Sequence, residues 1–166
     1  MNLLEVAMDK EKIQIAQWVF ERQLSWISSS EVKAGVITTI DIAMAGALAA
    51  CFTSSPTRDA WAWLSSVTAA ALLISAIFCT AMAIIPRLDG PDKSLLFFGK
   101  IAKLTSADFG EQFRRASYEM LLSDWLDQIH TNSKIATVKH GWIRKSLLFS
   151  LASALPWVVA ICVLLK

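Results

Sequence analysis

The sequence predicts an all-α membrane protein with three transmembrane helices, an N-terminal amphipathic helix, and a helical cytoplasmic segment between the second and third spans. Hydrophobic residues make up 55% of the 166-residue chain, above the roughly 45–50% that is usual in soluble domains. Three stretches are almost free of charge and approach the length of about 20 residues that a helix needs to cross a bilayer. We find no strand-like alternation of polar and apolar residues above background.

Residues 1–33 are predicted to form the cytoplasmic amphipathic helix. Apolar residues recur there at steps of three or four, and charges occupy the other positions. Such a helix either packs on the polar middle segment or lies on the membrane surface, and its mixed charge favours packing. We expect a bend at Ser28-Ser29-Ser30, before the first span. The apolar positions are Ile13, Ala16, Phe20, Leu24 and Ile27.

The three spans are predicted at residues 34–52, 61–86 and 146–165, with a short periplasmic turn at 53–60 between the first two. The second and third spans contain no charged residue, and the first is interrupted only by Asp41. Proline stops most helices but is tolerated within membrane spans. We therefore expect the second span to end at its terminal proline and the third to continue through its internal one.

The distribution of Lys and Arg predicts the orientation. Segment 87–145 contains ten of them and segment 1–33 contains four, whereas the turn at 53–60 holds only Arg58 and the third span is followed only by Lys166. Short loops rich in Lys and Arg stay in the cytoplasm. The N-terminus is therefore predicted to be cytoplasmic and the C-terminus periplasmic. This agrees with the odd number of spans, which requires the two termini to lie on opposite sides of the membrane.

The cytoplasmic segment 87–145 is predicted to be helical. Thr105 and Ser106 are suitable N-caps for a helix that begins near Ala107. A further helix is expected to start at Ser117 or Tyr118 and to run without a break into the third span.

Asp41 is the only charged residue within a predicted span. A carboxylate at the centre of a membrane costs at least about 2.5–3.5 kcal/mol on insertion scales, so it should face protein or water. One interpretation is a pore-lining or proton-accepting group. The other is a structural residue paired with Thr38, with Thr39, or with serines of the second span.

A helical stripe near the end of the cytoplasmic segment is the candidate ligand-binding site. Gln128, Asn132, Ile135 and Lys139 follow at offsets of four, three and four. Lysine supplies positive charge, and the amides supply donors and acceptors, so the polar members could receive a phosphate and a base edge. The alternative is a polar helix face that is solvated or links subunits.

The sequence offers little for enzyme, metal or nucleic-acid chemistry. The three cysteines lack metal-ligand spacing, and neither His130 nor His140 has a Ser or Cys partner at motif spacing. There is no glycine-rich phosphate loop. The net charge of +2 gives no polycation for nucleic acid. We therefore expect no catalytic residue, no metal and no cofactor.

Several short motifs occur in an order that resembles the transmembrane effectors of Pycsar anti-phage defence. The resemblance extends from about Lys33 to Leu165, and its most specific part lies within 127–136. In chain order, the motifs are Lys33-Ala34-Gly35, Pro86-Arg87, Phe97-Phe98-Gly99-Lys100-Ile101, Ser106-Ala107-Asp108-Phe109, Asp127-Gln128-Ile129-His130-Thr131-Asn132-Ser133-Lys134-Ile135-Ala136, Lys139 and Trp142.

This resemblance implies an effector in the bacterial inner membrane. A partner pyrimidine cyclase would make 3′,5′-cyclic CMP or cyclic UMP, and the effector would respond and impair the membrane, causing abortive infection. Gln128, Asn132 and Lys139 are the expected nucleotide contacts because the family motif and the polar stripe coincide there. Three spans cannot enclose a pore, so we expect a homo-oligomer in the lipid bilayer. The alternatives are a small channel or transporter subunit and a membrane anchor for a soluble partner.

Overall fold

The computed structural model describes residues 3–56, 58–87 and 90–166, and every element within these ranges is helical. Met1 and Asn2 of the predicted segment 1–33, Thr57 of the predicted turn, and Leu88 and Asp89 of segment 87–145 lie outside the described residues. The helices are α1 (Leu3–Ser54), α2 (Ala60–Ile84), α3 (Phe98–Ile101), α4 (Ser106–Arg115) and α5 (Tyr118–Leu164).

Helices α1, α2 and α5 each contain a stretch that is long and apolar enough to cross a membrane. Helix α1 continues through Ser28-Ser29-Ser30 into the first span, and the bend expected there stays a prediction. Serine is only a moderate helix breaker, and a continuous helix satisfies its own backbone groups where water is absent. The predicted continuity of α5 is confirmed, because it runs through Gly141 and Pro156.

The polar helix starts follow the expected chemistry. Thr105 caps α4, and its hydroxyl accepts the backbone N–H of Asp108 at 3.1 Å. Ser117 precedes α5 and accepts the backbone N–H of Met120 at 3.2 Å. Each cap satisfies a backbone donor that the first turn of a helix leaves unpaired.

The chain divides into two compact units. The head unit comprises residues 1–28 and 86–137, and the span unit comprises residues 29–85 and 138–166. Helices α1 and α5 contribute residues to both units, whereas α3 and α4 belong to the head unit and α2 to the span unit.

In the head unit, α1 packs against the first part of α5. The rings of Phe20 and Trp125 meet edge to face, with centroids 5.1 Å apart. Ala16 is buried, but Leu24 remains 45% exposed. Beside this apolar contact, the Gln23 amide donates to the Ser133 hydroxyl at 2.7 Å. Polar and apolar contacts therefore both join α1 to α5 in this unit.

In the span unit, the buried positions of all three helices recur every seven residues. A seven-residue repeat is the spacing at which helices pack along a left-handed supercoil. Small residues at these positions let helix backbones approach closely in a membrane. The buried residues with this spacing are Ala34, Asp41 and Leu48 of α1, Ala62, Ala69, Ala76 and Ala83 of α2, and Lys139, Ser146, Ser153 and Ala160 of α5.

Contacts within the span unit give the helix directions. Glu31, Asp41 and Met44 of α1 contact successively later residues of α5, so these two helices run parallel. Helix α2 runs the opposite way, because its Thr80 contacts Ser146 whereas its Ala62 joins the apolar cluster of Leu48 and Ala160. One end of the unit is therefore apolar, and the other contains most of the polar contacts between helices.

The alanine repeat of α2 predicts that Ala76→Leu lowers the stability of the protein much more than Ala71→Leu. Ala76→Leu should destabilise the span unit by about 1–3 kcal/mol, because Ala76 is fully buried and the larger side chain overpacks the helix interface. Thermal unfolding of the detergent-solubilised protein measures the effect. Ala71→Leu is the matched control, since Ala71 lies exposed on the same helix. Equal melting temperatures for the two variants would contradict the packing scheme.

Candidate functional site

The structure places the predicted ligand residues in different units. Gln128 and Asn132 belong to the head unit and Lys139 to the span unit, so no single unit contains all three. Asn132 is half-buried. Gln128 is buried, and its amide donates to the Ser94 hydroxyl at 2.9 Å. Its side chain is therefore engaged in an internal contact, and its role in nucleotide binding stays a prediction.

Lys139 is part of an ion pair in the span unit. Its ammonium lies 2.6 Å from a carboxylate oxygen of Glu31. The Lys139 side chain is only 5% exposed, whereas that of Glu31 is 46% exposed. The pair therefore holds a buried cation with a carboxylate that still reaches solvent. This arrangement is less costly than a fully desolvated pair, because one partner keeps part of its hydration.

Asp41 faces protein, as its charge predicted, but the hydroxyl that it accepts comes from the third span and not from Thr38, Thr39 or a serine of the second span. The residue is fully buried, and its Oδ1 accepts the hydroxyl of Ser150 on α5 at 2.6 Å. Thr38 and Thr39 instead donate to the carbonyls of α1 itself, one turn back. The partner comes from the third span because α1 and α5 run parallel and bring these two positions to the same level.

The second oxygen of Asp41 is also buried, and no hydrogen-bond partner reaches it within the described part of the chain. An unpaired polar atom in an apolar interior is unfavourable by about 1–3 kcal/mol in protein mutational data. Such atoms are rare in folded proteins and often mark a functional position. Asp41 is therefore unusual in the span unit, because it is a fully buried carboxyl group with one oxygen unpaired.

Further polar contacts lie along α5, where it meets α1 and α2, and together we call them the polar seam. The hydroxyls of Thr80 on α2 and Ser146 on α5 lie 2.6 Å apart, and within α5 the Ser153 hydroxyl donates to the Ser150 carbonyl at 2.7 Å. A hydrogen bond between membrane helices contributes about 0.6 kcal/mol. The seam consists of Glu31, Asp41, Thr80, Lys139, Ser146, Ser150 and Ser153.

Most residues of the polar seam were not among the predicted site residues. The sequence signal for them is the seven-residue spacing of Lys139, Ser146 and Ser153, which continues the helix face on which Lys139 lies. That spacing crosses the predicted boundary between the cytoplasmic segment and the third span at residue 146. Dividing the chain there separated Lys139 from the serines with which it shares a buried face.

The head unit contains two neighbouring cavities of about 560 and 440 Å³. Both are lined by Asp92, Lys100 and Lys103. Ligand pockets are commonly about 300–1,000 Å³, so each cavity is large enough for a small molecule. Lys100 lies within α3 and Lys103 follows it, so both are outside the predicted stripe on α5.

The fold and the polar seam define an all-helical protein with three helices of membrane-spanning length. The particular family follows from comparison with known proteins. The family model PycTM, described as the Pycsar effector protein domain, matches residues 15–166, and the chain belongs to this family. No curated protein and no solved structure matches the chain.

The ion pair of Glu31 and Lys139 predicts how reversing one or both charges changes the stability of the protein. Glu31→Lys or Lys139→Glu alone should destabilise the protein by about 1–3 kcal/mol, below the 3–5 kcal/mol of a fully buried broken pair because Glu31 is partly solvated. The double swap should recover at least half of that loss. Thermal unfolding of the four proteins forms a double-mutant cycle. Additive losses in the double variant would show that the two groups do not interact.

Proposed function

We propose that the chain is the effector of a Pycsar anti-phage defence system. In this proposal it responds to cyclic CMP or cyclic UMP from a partner pyrimidine cyclase and impairs the inner membrane, which causes abortive infection. The family match over residues 15–166 is the observation that carries the proposal. The three membrane-length helices and the polar seam support it.

In the proposed topology, the head unit is cytoplasmic and the C-terminus periplasmic. The concentration of Lys and Arg in residues 1–33 and 87–145 supports this orientation. Aromatic side chains lie next to cations near the expected boundaries between membrane and water, at the end of the first span and the start of the third. Lys145 stacks on the ring of Trp142 with its nitrogen 4.4 Å from the ring centre, and Arg58 lies 4.7 Å from the ring centre of Phe52. Such cation–aromatic pairs suit the ends of membrane spans, where the ring meets the lipid boundary and the cation meets water.

The proposed mode of action is physical and non-enzymatic. A single bundle of three helices is too thin to enclose a pore, so membrane impairment would need several copies of the chain. The polar seam supplies hydroxyl and carboxyl groups that would face water if the helices separated within such an assembly. A nucleotide favours the active arrangement only by binding it more tightly than the resting one. A twentyfold preference corresponds to about 1.8 kcal/mol.

Membrane potential gives the direct test. Bacteria that express the chain together with an active pyrimidine cyclase should lose membrane potential, as followed with a potential-sensitive dye. Cells with the chain and a catalytically inactive cyclase are the control and should stay polarised, as should cells with the cyclase alone. Full polarisation in the presence of both active proteins and the accumulated nucleotide would refute the proposed function.

A channel or transporter subunit is the second candidate, because Asp41 is buried with one oxygen unpaired. Asp41→Asn should preserve the acceptor for Ser150 while removing the charge. If Asp41 lines a conduction path, leakage through proteoliposomes should change at least severalfold at unchanged protein level. Thr39→Val is the matched control, since Thr39 is exposed on the same helix and bonds only its own turn. Unchanged leakage in Asp41→Asn assigns the residue to structure.

A further inference from the structure

The two cavities of the head unit have an unusual concentration of positive charge. Lys93, Lys100, Lys103 and Arg115 line the larger cavity, and Lys100 and Lys103 also line the smaller one. Among the residues that the structure describes, Asp92 is the only acidic one in either lining. A concave surface with several cations and one carboxylate favours an anion, because the field of the lysines adds within the cleft.

The ion pairs of these residues leave two of the four cations available. Lys100 pairs with Asp92 at 3.2 Å, and Arg115 pairs with Glu111 one turn earlier on α4. Within the described ranges, neither Lys93 nor Lys103 has a carboxylate partner. Asp92 is 98% exposed, so its hold on Lys100 is weak. Within the described part of the head unit, a bound anion would therefore meet two ammonium groups with no carboxylate partner and a third, Lys100, that exchanges its partner at little cost.

The smaller cavity adds an aromatic surface. The ring of Phe97 packs directly on Gly90 and Gly99, where a side chain on either glycine would collide with the ring. Phe98, whose ring centre lies 4.9 Å from that of Phe97, is 64% exposed at the cavity. An exposed ring beside ammonium groups can stack on a planar base while the cations hold its phosphate.

The loop that carries these groups is fixed by buried hydrogen bonds. The Ser94 hydroxyl is buried and accepts the backbone N–H groups of Leu96 and Phe97 at 3.1 and 2.8 Å. The backbone N–H of Leu95 donates to a carboxylate oxygen of Asp124 on α5 at 2.7 Å. Gln128 of the same helix donates to Ser94. The cavity wall is therefore held in place before a ligand arrives, which reduces the entropy cost of binding.

We propose that these neighbouring cavities, which share Lys100 and Lys103, bind a phosphodiester monoanion through Lys93, Lys100 and Lys103, and that Phe98 stacks on the base of a cyclic nucleotide held there. The inference rests on the proposed function and gives its nucleotide a site. Gln128 then acts as a positioning residue that fixes the loop, and Lys139 stays outside the site. A phospholipid headgroup carries the same phosphodiester chemistry and is the competing source of the anion.

The binding experiment uses the full chain in a non-ionic detergent and three titrants. These are cyclic UMP, cyclic CMP, and glycerophosphoglycerol as the water-soluble headgroup of an anionic phospholipid. Combined Lys93→Ala and Lys103→Ala substitutions should weaken binding of the preferred cyclic nucleotide about tenfold or more, because two charge-assisted contacts are lost. Wild-type affinity should also fall as salt rises.

Matched variants separate the site from general effects of charge. Lys134→Ala removes an exposed lysine of the same unit that lies on α5 outside both cavities, and it should leave binding unchanged. Lys103→Arg should retain most of the affinity. Phe98→Ala should weaken the cyclic nucleotide about tenfold through lost stacking and leave glycerophosphoglycerol unaffected. Melting temperatures of all variants show whether each is folded.

The outcomes distinguish this inference from the proposed function. Equal nucleotide affinity in the wild type and the folded double lysine variant would overturn the site. Tighter binding of glycerophosphoglycerol than of either nucleotide, with no effect of Phe98→Ala, would overturn the nucleotide assignment in favour of a lipid. In the membrane-potential assay, an undiminished response of the double lysine variant overturns the site alone. A wild type that binds nucleotide but never depolarises cells overturns the function alone.

Discussion

Small and polar residues at every seventh position hold the span unit together, and the rest of this unit depends on that spacing. Between membrane helices, lipid is as apolar as a leucine side chain, so burial of hydrocarbon gives little drive for association. Close approach and hydrogen bonds must supply it. The four alanines of α2 at 62, 69, 76 and 83 permit the approach, and Ser146 and Ser150 of α5 supply hydroxyls to α2 and α1 respectively. Asp41 is tolerated because it lies between α1 and α5, where Ser150 donates to it.

The same helices perform different tasks in the two units. In the span unit, α5 offers hydroxyl groups to α1 and α2 within a largely apolar surrounding. In the head unit, its residues Asp124 and Gln128 secure the loop before α3. Ser94 is central to that loop, since it joins two backbone donors to the Gln128 amide. The head unit thus has a loop fixed by buried hydrogen bonds, and the span unit has helices joined by buried polar contacts.

Membership of the Pycsar effector family gives the basic cavities of the head unit and the polar seam of the span unit a common interpretation. A membrane effector needs no catalytic group, but it needs a ligand site and helices whose arrangement can change. The basic cavity and the polar seam are candidates for these two roles, and each rests on its own contacts.

The sequence alone determined the helical class and the three stretches able to cross a membrane, because hydrophobic length is a local property. It also located the N-cap Thr105 and the unbroken course of α5. It could not identify Ser150 as the partner of Asp41, because 109 residues separate them and their meeting depends on the parallel course of α1 and α5. The larger cavity of the head unit could not be predicted either, because its cations come from separate elements. Lys93 lies in the loop before α3, Lys103 follows α3, and Arg115 ends α4, and folding brings them to one cavity. Local composition fixed the elements; helix direction and register decided which polar groups meet.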